Sequence, residues 1–184
     1  MPKFFFQNNI YSDDTKKEVS KKIENLKFNL PNEYIYFLQE NNGGRIVGKS
    51  PYEKAKLVLK EYDSNLTFGS FLRIDNLQGA DLPSDLQTEN LIETLGHLLN
   101  STEFYTFGAE LGGVNTCYLI NLESGKSYGE VRYMAYDGDV QMSNLGYYIA
   151  PSFTSFLKLL IDQNNGYIEN LSEIYDELVV KGFK

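Results

Sequence analysis

Leu30-Pro31-Asn32-Glu33-Tyr34-Ile35-Tyr36-Phe37-Leu38-Gln39-Glu40-Asn41-Asn42-Gly43-Gly44 contains a helix start, an amphipathic body and a stop. Pro31 suits the first helical turn, where a missing N–H leaves no bond unmade. Leu30, Tyr34, Phe37 and Leu38 recur at i, i+4, i+7 and i+8, which is one face of a helix. Asn41 and Asn42 followed by Gly43 and Gly44 end it, because glycine accepts positive φ without a Cβ clash. The stretch predicts a short buried helix that releases the chain into a strand from Arg45 to Gly48.

The same glycines admit a second reading. Gly43-Gly44-Arg45-Ile46-Val47-Gly48-Lys49-Ser50 satisfies G-x-x-x-x-G-K-[ST], the pattern that wraps a phosphate when a strand precedes it and a helix follows. The upstream segment has a helical period, and the β-branched Ile46 and Val47 favour extended backbone. A helix from Pro51 through Tyr62 would be needed, with Asp75 or Asp137 supporting magnesium. The expectation is a helix stop and a strand, with a P-loop NTPase using Gly43 to Ser50 as the alternative.

Working outward, the segment 4 to 11 reads as an extended arm or edge strand. Thr15-Lys16-Lys17-Glu18 has the form of a capping box, and Val19, Ile23 and Leu26 make a thin apolar stripe, so a first helix is expected over about 13 to 27. Lys56 to Tyr62 and Thr67 to Leu77 read as strands, with Gly69 a bulge or bend in the second. A helical segment follows from Leu82-Pro83-Ser84 to Leu99. Phe104 to Phe107, Asn115 to Leu122 and Tyr128 to Tyr136 are short β-runs whose brief connections imply antiparallel neighbours. Glu130 to Ala135 alternates, which predicts one wet face. Asp137-Gly138-Asp139 is a turn. Ser152 caps a helix carrying Phe153, Phe156, Leu157, Leu160 and Ile161 on one face, stopped by Asn164-Asn165-Gly166. A last helix spans about 170 to 181, with Leu171, Ile174, Tyr175 and Leu178 as its apolar stripe. The outline is α+β: a central antiparallel sheet flanked by N-terminal and C-terminal helices in a single domain.

Composition narrows the function. A formal net charge of −8 opposes nucleic-acid binding, which needs a basic footprint, and suits attraction to a basic protein. Cys117 is the only cysteine and lies in an apolar run, so a buried, inert thiol is expected. His97 is the only histidine and sits among leucines, where a structural role is expected. The sequence lacks G-x-S-x-G, H-E-x-x-H, G-x-G-x-x-G and EF-hand spacing. No signal peptide or membrane span is read, and a cytoplasmic protein is expected. The expectation is a protein that is not an enzyme, with no cofactor, no metal site and no small-molecule substrate.

Four ordered blocks resemble the SUKH superfamily, which includes fungal cell-wall assembly regulators and bacterial toxin-immunity proteins. They are Leu30-Pro31-Asn32-Glu33-Tyr34 with Phe37-Leu38 and Asn42-Gly43-Gly44; Phe104-Tyr105-Thr106-Phe107-Gly108 with Gly112-Gly113 and Cys117-Tyr118-Leu119-Ile120; Gly129-Glu130-Val131-Arg132-Tyr133 to Asp137; and Tyr148-Ile149-Ala150 with Ser152-Phe153 and Phe156-Leu157. The resemblance implies one SUKH-like domain over 1–184, with a core of about 30–161 and a C-terminal helical extension over 166–184. It also implies a non-catalytic binding protein, an immunity protein whose partner is a cognate toxin, often a nuclease, or else a regulatory scaffold. Glu110, Glu130, Tyr133, Tyr136, Asp137 and Asp139 are the expected partner-binding residues, because carboxylates in turns steer basic partners and tyrosine supplies contact area.

Overall fold

The computed structural model describes residues 4–10, 12–26, 29–50, 53–59, 64–72, 74, 104–110, 116–135 and 146–183. Seven strands form an antiparallel sheet in the order β1-β2-β5-β6-β7-β8-β9: β1 (Phe4–Asn8), β2 (Gly44–Gly48), β5 (Ser70–Phe71), β6 (Phe104–Ala109), β7 (Thr116–Asn121), β8 (Val131–Ala135) and β9 (Tyr147–Ala150). β3 (Ala55–Leu59) and β4 (Ser64–Phe68) make a separate two-stranded ribbon. The helices among the described residues are α1 (Asp13–Glu24), α2 (Asn32–Asn41), α3 (Phe153–Gln163) and α4 (Leu171–Val180). The α+β single-domain reading is correct.

The opening stretch folds as its period requires. Tyr34, Phe37 and Leu38 of α2 are wholly buried, and Pro31 occupies the N-cap position. The helix ends on Asn42, whose φ of 48° and ψ of 48° are left-handed and whose N–H donates to Leu38 O. Asparagine takes the first left-handed position, and Gly43 (φ 75°) and Gly44 (φ 149°) continue the reversal. The Asn42 side chain also accepts the Ile74 N–H at 3.1 Å. Gly44 to Gly48 is then a regular strand, hydrogen-bonded to β1 along its length and to β5 at its start. A strand bonded in this way cannot also curl its amides around a phosphate, so the P-loop reading fails on geometry. The chain beyond it forms β3 over Ala55–Leu59, and no helix runs from Pro51 to Tyr62.

Tyr34 and Phe37 sit at the centre of an aromatic core, with ring centroids 4.9 and 5.0 Å from that of Phe153. Phe71, Phe107 and Phe156 extend it, and Phe68 brings the ribbon into it at 4.5 Å from Phe71 and 4.9 Å from Tyr118. Such tilted and edge-on pairs add to simple burial. Gly69 lies between β4 and β5, where the chain leaves the ribbon and joins the sheet; its N–H donates to Ala109 O and its carbonyl accepts from Ile46. The expected bend at Gly69 is therefore a change of sheet.

Side chains fasten both edges of the ribbon. Asn164 and Gln163, at the end of α3, each bind a backbone donor and acceptor of β3. The Lys56 N–H donates to Asn164 Oδ1 and Asn164 Nδ2 to Lys56 O, both at 2.9 Å, while the Val58 N–H donates to Gln163 Oε1 at 2.5 Å and Gln163 Nε2 to Val58 O at 3.1 Å. These amides imitate a neighbouring strand.

Three expectations need correction. Thr15 does not cap α1; Ser12, in extended backbone, accepts the Thr15 N–H and is the cap, three residues earlier, of a helix that starts at Asp13 as expected. The alternating strand over Glu130 to Ala135 has its wet face only in part: Glu130 and Arg132 are half-buried, but Met134 on the same face is buried, along with Cys117 and Leu119 beside it on β7. The unbroken apolar run of β7 is the pattern of a strand covered on both sides. Finally, Tyr147–Ala150 is a strand, whereas the sequence reading placed none there. The helix expected over 82 to 99, His97 and the turn Asp137-Gly138-Asp139 lie outside the described residues.

Candidate interaction surface

Glu110 follows β6 and faces the ribbon. Its Oε1 accepts the Thr67 N–H at 2.8 Å and the Thr67 hydroxyl at 3.0 Å, and its Oε2 accepts from the Tyr133 hydroxyl at 3.4 Å. The Tyr118 hydroxyl donates to Thr67 O at 2.9 Å. Glu110 and Tyr118 thus bind the N–H and C=O of one residue on β4, completing the side-chain fastening of the ribbon. Neighbouring Glu110 helps burial keep the Tyr118 hydroxyl protonated, with its pKa pushed far up.

Tyr133 points from β8 into the core and is only 5% exposed. Its ring lies 5.2 Å from Tyr118 and 6.5 Å from Tyr147, nearly parallel to the latter. On this sheet, tyrosines reach solvent one strand further on: Tyr147 is 42% and Tyr148 36% exposed. Gly146 admits the chain to that strand, because at φ 71° a Cβ would fall 2.1 Å from Tyr133 O. Glu130 accepts from Arg132 Nη2 at 2.9 Å, with both side chains about one-fifth exposed. Arg132 and Tyr133 are adjacent on a strand and point to opposite faces. The structure therefore brings Glu110 and Tyr133 together and sets the Glu130–Arg132 pair on the other side of β8. Tyr136, Asp137 and Asp139 lie outside the described residues. Sequence reasoning missed Tyr147 as a surface residue. Its signal was Gly146 followed by the β-prone run Tyr147-Tyr148-Ile149.

A groove of about 410 Å³ lies where the starts of α2 and α3 meet, lined in part by Pro31, Asn32, Glu33, Tyr128, Gly129 and Ser152. The Tyr128 hydroxyl closes one side by donating to Asn29 O at 2.8 Å. Partial burial, with Glu33 nearby, raises the Tyr128 pKa. Three of the sequence blocks described above, distant along the chain, converge on this groove.

Cys117 is buried, and burial pushes its thiol pKa up to about 12, which suits an inert side chain. Among the described residues no cluster of His, Cys, Asp and Glu could hold a metal ion, and no helix is long and apolar enough to cross a membrane.

The model of the SMI1/KNR4 family (SUKH-1) matches residues 15–159. The chain belongs to the SMI1/KNR4 (SUKH-1) family. Searches among curated proteins and among solved structures found no match. The SUKH-1 match begins inside α1 and ends inside α3, so it reaches further toward the N-terminus than the block beginning at Leu30. β1 and α4 lie outside the matched residues.

Proposed function

We propose that this SUKH-1 protein is a non-catalytic binding protein, an immunity protein that binds and neutralises a cognate toxin with a basic surface. Family membership together with the net charge of −8 carries the reading. Opposite charge speeds encounter and fixes orientation, and a nuclease toxin is basic where it holds phosphates. The binding surface is assigned to the β9 edge of the sheet, which carries Glu130 and the exposed Tyr148 on one side and the exposed Tyr147 on the other, with Tyr136, Asp137 and Asp139 from the segment joining β8 to β9. Glu110 contributes negative potential beside them while holding Thr67. Tyr133 acts from below, through its ring contact with Tyr147.

The test is co-expression with the toxin encoded beside this chain's gene. Cells carrying the wild-type chain survive. Association of the purified pair slows as salt rises while dissociation changes less. Neutralising Glu130, Asp137 and Asp139 slows association and weakens protection. Full protection with an unchanged association rate moves the interface elsewhere, to the groove between α2 and α3 or another face. No protection by the wild type overturns the immunity reading and leaves a regulatory scaffold of the cell-wall assembly type.

A further inference from the structure

β1 is an edge strand whose own residues supply none of the usual devices that keep edges apart. Phe4-Phe5-Phe6-Gln7-Asn8 carries no charge and no proline, and it pairs with β2 through five consecutive residues without a bulge. Phe5 is 40% exposed. Such an edge is a template for another strand.

In this chain the template is already occupied. The Phe6 N–H donates to Glu169 O at 2.8 Å, and the Glu169 N–H donates to Phe4 O at 3.1 Å, forming a one-residue parallel bridge at Phe5. Asn170 Nδ2 donates to Phe6 O at 2.9 Å from a residue held at φ 66°. Ile168 and Leu171, both fully buried, anchor this segment on either side. The carbonyl of Phe4 and both backbone groups of Phe6 are thereby taken by residues just ahead of α4. The strand and the segment that covers it both lie outside the SUKH-1 match.

We propose that residues 168–170 guard the outer edge of β1, and that opening the guard lets β1 pair antiparallel with β1 of a second copy. The pairing is two-fold and self-complementary, so one strand supplies both sides of the contact. The occupant follows from charge. A protein with a net charge of −8 resists meeting itself through most of its surface, but β1 places no charged side chain opposite its own copy.

The experiment measures mass by light scattering over a concentration series, and amide exchange residue by residue, on the full chain. The wild type stays a single chain with a protected Phe6 amide. Asn170→Gly keeps the positive φ and loses the side-chain donor, and raises Phe6 exchange about fivefold, the effect of one hydrogen bond. Adding Glu169→Pro removes the second donor and gives a dimer. Phe5→Lys in that background places a charge on the edge and restores the single chain. The proposal is overturned if Phe6 exchange rises with no gain in mass, if association survives Phe5→Lys, or if the wild type itself dimerises through β1. Should the double variant fail to fold, Asn170→Gly alone decides. Its Phe6 exchange is raised at low concentration and falls as its mass rises with concentration, because the second copy covers the same amide, or the guard is not what prevents pairing.

Discussion

Gly43 and Gly44 occupy positions that admit no side chain. A Cβ on Gly43 would fall 2.6 Å from Phe71 O and 2.7 Å from the Leu72 carbonyl carbon, and one on Gly44 would fall 2.4 Å from Gln7 O. Each neighbour is backbone and each φ is positive, so neither strain nor overlap can relax through a rotamer change. Gly43→Ala and Gly44→Ala should each destabilise the fold by more than the ~1 kcal/mol of a compatible glycine change, measured by urea unfolding. Buried ionisable groups give a second prediction at this scale. Burial raises the pKa of Cys117 to about 12 and lifts those of Tyr34, Tyr105 and Tyr118 above the ordinary tyrosine value of 10.0. The folded state therefore keeps protons that the unfolded chain loses from about pH 9 upward. Stability from these groups is whole below pH 9 and falls as pH rises, by up to ~1.4 kcal/mol per pH unit for each group between its unfolded and folded pKa. Denaturant midpoints that stay level from pH 8 to pH 11 would refute this.

At the scale of elements, regular periods were legible and side-chain tethers were not. α2, α3 and α4 could be read from their apolar spacing, and Ser152 from its place before it; Ser152 Oγ does accept the Ser155 N–H. β6, β7 and β8 could be read from short β-prone runs with brief links. The ribbon's attachment was not legible, because Glu110, Asn164 and Gln163 reach partners 43 to 108 residues away and nothing local marks them. Glu110 shows the cost: a carboxylate in a turn reads as a surface charge, yet it holds a backbone N–H. The two roles separate by substitution. Glu110→Gln retains an acceptor for Thr67 and should change stability by less than ~1 kcal/mol, whereas Glu110→Ala leaves the Thr67 N–H without its partner and should cost about 1–3 kcal/mol. Thermal or urea unfolding measures both. If the Gln variant is as unstable as the Ala variant, charge and not hydrogen bonding holds the ribbon.

For the whole molecule, the family and the fold were legible because ordered blocks of glycines and aromatics mark the helix stop, the middle hairpin and the closing helix. The interaction surface was only partly legible. Tyr133 and Tyr147 look alike as letters, and only the sheet shows that one faces the core and the other solvent. The same sheet decides the nucleotide question. With Gly44 to Gly48 bonded to β1 and β5, millimolar ATP or GTP with magnesium should leave the melting temperature unchanged; a ligand at a hundred times its Kd would add ~2.7 kcal/mol. An upward shift abolished by Lys49→Ala would refute that. Finally, among the described residues the β3–β4 ribbon makes no backbone hydrogen bond to the seven-stranded sheet. It is held by its apolar face, the pivot at Gly69 and a few side-chain hydrogen bonds. Lifting it would expose Leu57 and Phe68, both buried in the core, so packing and not a backbone ladder sets how firmly it sits. Its seat can also be tightened, loosened or shifted by single substitutions, so the ribbon is the place where this scaffold can change shape while its sheet stays the same.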